Sequence, residues 1–130
     1  MSAAAGTSPS ILIADDEVGF RDLFTFCIAP HGFEIVAVED GLQAVRAIEA
    51  RPFSLVVLDV HMPHMGGPEA LARIRAIRPE QRVIVMSSSS DPSHEFESSA
   101  GSLGARACLF KPVELDELLA TIMKAIGEQP

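Results

Sequence analysis

The sequence has no tryptophan and no tyrosine, and phenylalanine supplies all 7 of its aromatic residues. It therefore lacks the aromatic platforms on which single-stranded nucleic acids usually stack. Lysine and arginine are also scarce, with 10 of these residues against 18 acidic ones, and they form no cluster. Because nucleic-acid phosphates require a positive protein surface, the formal net charge of −8 predicts no direct nucleic-acid binding by this chain.

Cysteine is equally rare, since only Cys27 and Cys108 are present and neither belongs to a CxxC pair. Two reduced thiols in a cytosolic protein are the favoured interpretation, and a disulfide between them is the alternative. No apolar run is long enough to cross a membrane. The first ten residues, MSAAAGTSPS, have neither the basic nor the apolar region of a secretory signal. We therefore expect a cytoplasmic protein that does not associate with membranes.

Five short apolar segments alternate with segments of helical spacing. The apolar segments are Ser10–Ala14, Glu34–Val38, Ser54–Val60, Arg82–Ser87 and Ala105–Phe110. Three of them are continuous and rich in Val, Ile and Leu, which is typical of strands covered on both faces. Apolar residues recur every three to four positions within 18–28, 42–48, 70–77 and 115–126. In the first helical segment the predicted apolar stripe is Val18, Leu23, Phe24, Cys27 and Ile28. This alternation predicts an α/β fold with a five-stranded parallel sheet between helices.

The fourth connection, Ser88 to Gly104, is rich in serine and glycine and poor in helix formers. It predicts a short or irregular fourth helix and the most mobile part of the domain. Neither an internal repeat nor a linker interrupts the pattern. We expect one domain over residues 10–127 with five helices, residues 1–9 being a disordered tail or a cloning remnant and residues 128–130 a second tail.

Polar residues stand at the ends of the predicted strands. Asp15 and Asp16 follow the first strand, Asp59 ends the third, Ser87 ends the fourth and Lys111 follows the fifth. The carboxyl ends of parallel strands lie at one edge of the sheet, so these side chains are expected to meet there. Carboxylates in close quarters repel one another unless a cation neutralises them, and oxygen ligands suit Mg²⁺ or Mn²⁺. A carboxylate, a hard metal ion and an ammonium group together favour phosphoryl transfer onto an aspartate.

Four stretches carry a family resemblance when they are taken in order. They are Ile11–Glu17, Leu58–Gly67, Val83–Ser87, and Gly104-Ala105 followed by Lys111-Pro112. Together they resemble the receiver domain of the two-component response regulators, the CheY-like family, over nearly all of residues 10–127. The resemblance implies a single flavodoxin-like, doubly wound domain with strand order 2-1-3-4-5.

The resemblance also assigns roles to individual residues. Asp59 matches the phosphoacceptor, which takes a phosphoryl group from a sensor histidine kinase or a phosphotransfer protein. Asp15, Asp16, Asp59 and the backbone carbonyl of His61 match the ligands of Mg²⁺, for which Mn²⁺ is a substitute. Such a domain catalyses only its own phosphorylation and dephosphorylation and is not otherwise an enzyme.

Two further residues match the switching machinery. Lys111 matches the lysine that contacts the phosphoryl group, and it precedes Pro112 through a peptide bond that is cis in relatives. Ser87 matches the hydroxyl residue that moves toward the phosphate and changes the conformation of the domain. The signal would leave through the face formed by the fourth helix, the fifth strand and the fifth helix, toward an unknown output domain or partner.

The sequence departs from the family pattern near its fifth strand. Relatives usually carry Tyr or Phe three positions before the lysine, where this chain has Cys108. Switching is therefore expected to depend on Ser87 and on backbone shifts, with Phe110, on the same strand face as Cys108, as a partial substitute. His61 and Ser89 occupy the two positions that tend to tune the lifetime of the phosphate.

Other interpretations of the same residues remain open at this level. His61 and His64 would be the protein ligands of a zinc site, Asp15 and Asp16 would cap the first helix, and Lys111 would be an ordinary solvated lysine. A phosphatase of the haloacid-dehalogenase type is a further alternative, but it needs a second aspartate where His61 stands. A scaffold that acts without phosphate is another, and it would need none of the polar residues Asp15, Asp16, Asp59, Ser87 and Lys111. No role is assigned to His64.

Overall fold

The computed structural model describes residues 8–88 and 104–127. The strands are β1 (Ser10–Ala14), β2 (Glu34–Val38), β3 (Leu55–Asp59), β4 (Val83–Ser88) and β5 (Ala107–Lys111). The helices are α1 (Val18–Ile28), α2 (Gly41–Ala50), α3 (Gly67–Ile77) and α4 (Leu115–Gly127), and a short 3-10 turn, Ala29–His31, follows α1.

The five strands form one parallel sheet in the order β2-β1-β3-β4-β5. This confirms the predicted flavodoxin-like sheet and its strand order. The order reverses between β1 and β3, so the chain leaves these two neighbouring strands in opposite directions. A crevice at the carboxyl ends of two such strands is where α/β sheets usually bind ligands.

Every residue of β1 and β3 is buried, because helices cover both faces of the sheet. Alternate residues belong to two separate cores, as the two-residue repeat of a strand requires. Leu12, Val56 and Val85 pack with α2 and α3 on one face. Ile13 and Val57 pack with α1 and α4 on the other. The continuous apolar runs of the sequence are thus explained by burial on both faces.

The predicted apolar stripe of α1 is only partly correct. Phe24 and Ile28 are buried as expected, but Val18 is 60% exposed and Leu23 is 49% exposed. Phe20 packs against the core instead of these two residues. The sequence is ambiguous here because seven of the eleven residues of α1 are apolar, so several stripes fit the helical period equally well.

Three predicted segments fall wholly or largely outside the described residues. The fourth helix was expected between Ser88 and Gly104, and the two tails include residues 1–7 and 128–130. The helix named α4 here is therefore the fifth helix of the predicted pattern. No helix in the described ranges is long and apolar enough to cross a membrane.

Gly67 fixes how closely α3 approaches the end of β3. A Cβ atom at Gly67 would lie 2.6 Å from the carbonyl oxygen of Asp59 and 2.8 Å from the Cα of Val60. Glycine is required there because the helix begins directly against the strand backbone. The Gly67 N–H also donates a hydrogen bond to the Val60 carbonyl at 2.9 Å, which closes the loop from β3 to α3.

Candidate functional site

Asp59 is the last residue of β3 and is only 4% exposed. Its backbone pairs with Met86 of β4, which places the carboxylate at the carboxyl edge of the sheet. Oδ1 accepts a hydrogen bond from the His61 N–H at 3.3 Å, and Oδ2 accepts one from Lys111 Nζ at 3.3 Å. Each carboxylate oxygen of Asp59 therefore has a donor.

Asp15 stands directly after β1, beside Asp59, and is fully buried. Oδ1 accepts the Glu17 N–H at 2.9 Å, and Oδ2 accepts Lys111 Nζ at 2.7 Å. The Asp15 carbonyl accepts Arg21 Nη1 from α1 at 2.7 Å. Asp15 thus accepts the N–H of Glu17, the residue before α1, and at the same time holds the lysine. Neither Asp15 nor Asp16 caps α1, because the N-cap position is Glu17, which makes no side-chain cap hydrogen bond.

Lys111 ends β5 and extends across the edge of the sheet toward β1 and β3. In addition to Asp15 and Asp59, its ammonium lies 3.4 Å from Glu17 Oε1 and 4.9 Å from the centre of the Phe20 ring. Its side chain is 21% exposed. Lys111 is therefore not the ordinary solvated lysine of the alternative interpretation. The Lys111-Pro112 peptide bond is cis, as the resemblance implied.

The charges at this edge shift the pKa of two groups. Burial and the nearby charge of Asp15 raise the pKa of Asp59 to about 6, although Lys111 and the His61 N–H act in the opposite direction. Burial lowers the pKa of Lys111, but its hydrogen bond to Asp15 and the charge of Asp59 outweigh that effect and raise it overall. The edge therefore carries more negative charge than its single lysine neutralises.

Asp15, Asp16 and Asp59 each offer a carboxylate oxygen, and these oxygens all lie within 4.8 Å of one another. Asp16 is exposed, whereas the other two are buried. Hard divalent cations favour such a set of oxygen donors, and the unneutralised charge attracts a cation. The donors therefore fit Mg²⁺ or Mn²⁺.

The zinc alternative has no such support. Among the described residues, no histidine belongs to a group of three or more potential ligands. His61 is exposed and contacts Asp59 through its backbone N–H. His64 instead contacts Asp40 at 2.8 Å, on the side of the loop next to α2.

Ser87 is buried in β4, one residue beyond the position that pairs with Asp59. It lies at the same edge as the carboxylates, as predicted. Cys108 is half-buried in β5 and packs against the core on the α2 and α3 face of the sheet. The position at which relatives carry an aromatic ring is therefore filled here by a small side chain.

Some contacts of the site were not predicted from the sequence. Phe20 lies under the Lys111 ammonium, and Arg21 holds the Asp15 carbonyl. Both belong to the first turn of α1, immediately after the acidic stretch, and that proximity was the available signal. The Asp40–His64 contact was also missed, because the two residues are 24 positions apart and share no sequence pattern.

The comparison with protein families agrees with this geometry. The model of the response regulator receiver domain matches residues 11–123. The match spans Asp15 and Asp16, Asp59, β4 and the Lys111-Pro112 pair. The chain therefore belongs to the family of response regulator receiver domains. Receiver domains are signalling domains that accept phosphoryl groups from histidine kinases or phosphotransfer proteins and signal to output domains.

Individual relatives differ in how much of them the chain covers. It is 34% identical to the chemotaxis protein CheY of Bacillus subtilis (strain 168) over 118 residues, covering 90% of this chain and 97% of that protein. It is 33% identical to the transcriptional regulatory protein ZraR of Escherichia coli O157:H7 over 117 residues, covering 90% of this chain. The chain spans only about a quarter of the length of ZraR, 26%.

A solved structure supports the same fold. The CheY-like response regulator receiver domain protein from Methanospirillum hungatei JF-1 superimposes with a TM-score of 0.86 at 27% identity. The superposition covers 92% of this chain and 94% of that one. The fold, the family and the acidic edge are therefore mutually consistent.

Proposed function

We propose that this domain is a phosphorylation-dependent switch in which Asp59 accepts a phosphoryl group from a sensor histidine kinase or a phosphotransfer protein. The observation that carries the proposal is the juxtaposition at the sheet edge, where the Asp59 carboxylate lies 3.3 Å from Lys111 and in one cluster with Asp15 and Asp16. A buried carboxylate beside two others and an ammonium provides both a nucleophile and the means to neutralise incoming phosphoryl oxygens.

In this reaction an oxygen of Asp59 forms a bond to phosphorus while the phosphorus–nitrogen bond of the donor phosphohistidine breaks. The departing imidazole keeps the electron pair of that bond and takes up a proton. Lys111 would pair with a phosphoryl oxygen, and the Ser87 hydroxyl would donate to another. Asp59 must be ionised to attack, and its pKa of about 6 leaves it mainly ionised near neutral pH.

We further propose that Asp15, Asp16, Asp59 and the backbone carbonyl of His61 hold the divalent cation, Mg²⁺ or Mn²⁺. When bound, this ion would supply positive charge to the phosphoryl oxygens. Asp15 is also occupied by Lys111 at 2.7 Å, so the lysine is already held at the edge before a phosphoryl group arrives. Its ammonium would then exchange a carboxylate partner for a phosphoryl oxygen.

The output of the switch is proposed to leave through β5 and the helices beside it. Since Cys108 has no ring that could swing inward, the movement of Ser87 and of the β4 backbone would carry the change. The partner on that face is an output domain or a separate protein. We place this signalling in the cytoplasm, in keeping with the family.

The direct test is incubation with acetyl phosphate and Mg²⁺ followed by intact-mass measurement. We expect the wild-type chain to gain one phosphoryl group and the Asp59→Asn chain to gain none. Chelating the divalent ion should abolish the gain. Exposed Glu49, at the carboxyl end of α2 and so toward the opposite edge of the sheet, provides a matched control, because Glu49→Gln removes a carboxylate away from the site and should leave the gain intact. Equal labelling of wild type and Asp59→Asn would refute the proposal.

A further inference from the structure

His64 has an unusual backbone conformation. Its φ angle is +65°, and it is the non-glycine residue with a positive φ in the described part of the chain. Side chains with a Cβ are disfavoured in this region, where glycine and asparagine are the residues best tolerated. The ring is 69% exposed, so burial of the imidazole does not compensate for this conformation. The hydrogen bond from the Met65 N–H to the Pro63 carbonyl, at 2.6 Å, supports the conformation from within the loop, and the His64 side chain adds one contact of its own.

That contact is with Asp40, the residue that caps α2. Asp40 Oδ2 lies 2.8 Å from His64 Nδ1, while Oδ1 accepts the Gln43 N–H at 2.8 Å. The Asp40 side chain is only 6% exposed. The hydrogen bond from Gln43, assisted by the one with His64, lowers the pKa of Asp40 despite its burial. One carboxylate thus begins a helix with one oxygen and holds a neighbouring loop with the other.

A second contact joins the same two segments. The Gly41 N–H, at the start of α2, donates to the Met65 carbonyl at 3.1 Å. A Cβ atom at Gly41 would overlap that carbonyl, so glycine permits the close approach. Within the described residues, these two adjacent contacts connect the tip of the β3–α3 loop to another element by hydrogen bonds.

Within the tip, the Met65 N–H donates to the Pro63 carbonyl, which forms a tight turn across His64 but stays inside the loop. The other hydrogen bonds of this loop lie near its base. The Val60 N–H donates to Met86 of β4, and the Gly67 N–H donates to Val60, both at 2.9 Å. His61 stands between this base and the tip at His64. Its backbone is therefore held from the base on one side and from α2 on the other.

We propose that His64 and Asp40 are positioning residues, which brace the loop tip against α2 and thereby hold the His61 carbonyl in place for the divalent cation. This inference rests on the proposed function for the identity of the cation and of its carbonyl ligand. Without the brace the loop occupies its binding-competent form for a smaller fraction of the time, and the apparent metal affinity falls by that fraction. Neither residue touches the cation itself.

The test is calorimetric titration of Mg²⁺, without any phosphodonor, into matched variants. His64→Gly keeps the φ angle but removes the contact, and Asp40→Ser keeps a good helix cap but is too short to reach the ring. We expect each to raise the Mg²⁺ dissociation constant by about three- to tenfold, which is at or below the lower limit of the roughly 10–100-fold loss typical of residues that hold metal ligands directly. The double variant should bind Mg²⁺ no more weakly than either single variant, because each single substitution already removes the same brace.

Two conservative variants separate bracing from other effects. His64→Asn tolerates the φ angle and carries its amide nitrogen on Cγ, as histidine carries Nδ1, so it should restore affinity to within about twofold of wild type. Asp40→Asn keeps the shape and both contacts but removes the charge, and it should behave similarly.

Several outcomes would overturn the inference. Wild-type affinity in His64→Gly would show that the brace is irrelevant, and equal losses in His64→Asn and His64→Gly would show that the contact is not what matters. Equal losses in Asp40→Asn and Asp40→Ser would assign the effect to charge. If the wild-type chain binds Mg²⁺ but gains no phosphoryl group, the proposed function is refuted, while the Mg²⁺ affinities of the variants still test the brace. If the wild-type chain binds no Mg²⁺, the brace is refuted as well.

Discussion

The two edges of the sheet differ in how their buried polar side chains are paired. At the amino ends of the strands a neutral amide pairs its acceptor with a donor and its donor with an acceptor, whereas at the carboxyl ends buried carboxylates lie next to one another. Before β4, Gln81 Oε1 accepts the Phe53 N–H at 3.0 Å and its Nε2 donates to the Phe53 carbonyl at 2.7 Å. After β1 and β3, by contrast, Asp15 and Asp59 share one lysine. The same strands therefore end in a satisfied, stabilising edge on one side and in an edge under electrostatic repulsion on the other.

This difference separates stability from function within one sheet. Each hydrogen bond at the amino edge satisfies a group that burial would otherwise leave without a partner. Each additional carboxylate at the carboxyl edge costs folding free energy, but it supplies the oxygen donors and the nucleophile that the proposed reaction needs. Substitutions at the two edges should accordingly change stability in opposite directions.

The largest stability effect is expected at the amino edge. Gln81→Ala removes both hydrogen bonds to Phe53 and leaves a buried N–H and a buried carbonyl unpaired, which should lower the free energy of unfolding by about 2–4 kcal/mol. Urea unfolding followed by far-UV circular dichroism measures this change. Arg73→Ala, which breaks the exposed helical pair with Glu69, is the control and should change stability by less than about 0.5 kcal/mol. Comparable losses in the two variants would contradict the special role of the amino edge.

At the carboxyl edge the expected effect is smaller and opposite in sign. Asp59→Asn keeps the shape of the side chain but removes the charge that burial and Asp15 disfavour, so at neutral pH without divalent ions it should stabilise the fold by about 1–3 kcal/mol. Millimolar Mg²⁺ should stabilise wild type and thereby reduce the difference, because a bound cation offsets the repulsion. A destabilised Asp59→Asn chain would show that this edge is not strained by its charge.

The pH dependence of that stabilisation has a definite sign. The pKa of Asp59 is raised to about 6 in the folded chain, whereas the unfolded value is close to 3.8. Below the unfolded pKa the residue is neutral in both states and the substitution should have little effect. The penalty of wild type develops as pH rises from that value to about 6 and is constant above it. The gain from Asp59→Asn should therefore grow over this window, and thermal unfolding at a series of pH values measures it.

The composition of the two edges also determines how much was predictable. The alternation of strands and helices predicts a parallel sheet, in which the carboxyl ends of the strands lie at one edge. The proximity of Asp15, Asp59 and Lys111 could therefore be predicted from the sequence. The brace between Asp40 and His64 was not, because it depends on the φ angle of one loop residue and on how closely α2 approaches it. Loop conformation is not encoded in hydrophobic periodicity, so the sequence left His64 without a role.

A similar limit applied to α1. Its helical period was clear, but the face turned to the core was not, because apolar residues occupy most of its positions. Phe20 was consequently missed as a neighbour of Lys111, although Asp15 and Asp16 on the preceding stretch were predicted as site residues. The residues that were predicted are those whose position follows from topology alone, and the rest depend on side-chain packing.

The smallest expected effect concerns how Lys111 divides its charge between two carboxylates. It lies closer to Asp15, at 2.7 Å, than to Asp59, at 3.3 Å, and Asp15 is fully buried. A double-mutant cycle of Lys111→Met with Asp59→Asn should give a coupling free energy of about 1 kcal/mol, since the pair is partly exposed and long. The matching cycle with Asp15→Asn should give a larger value. If the Asp59 cycle gives the larger coupling, the lysine is held mainly by Asp59, and the proposed phosphorylation would have to break the stronger of its two contacts rather than the weaker one.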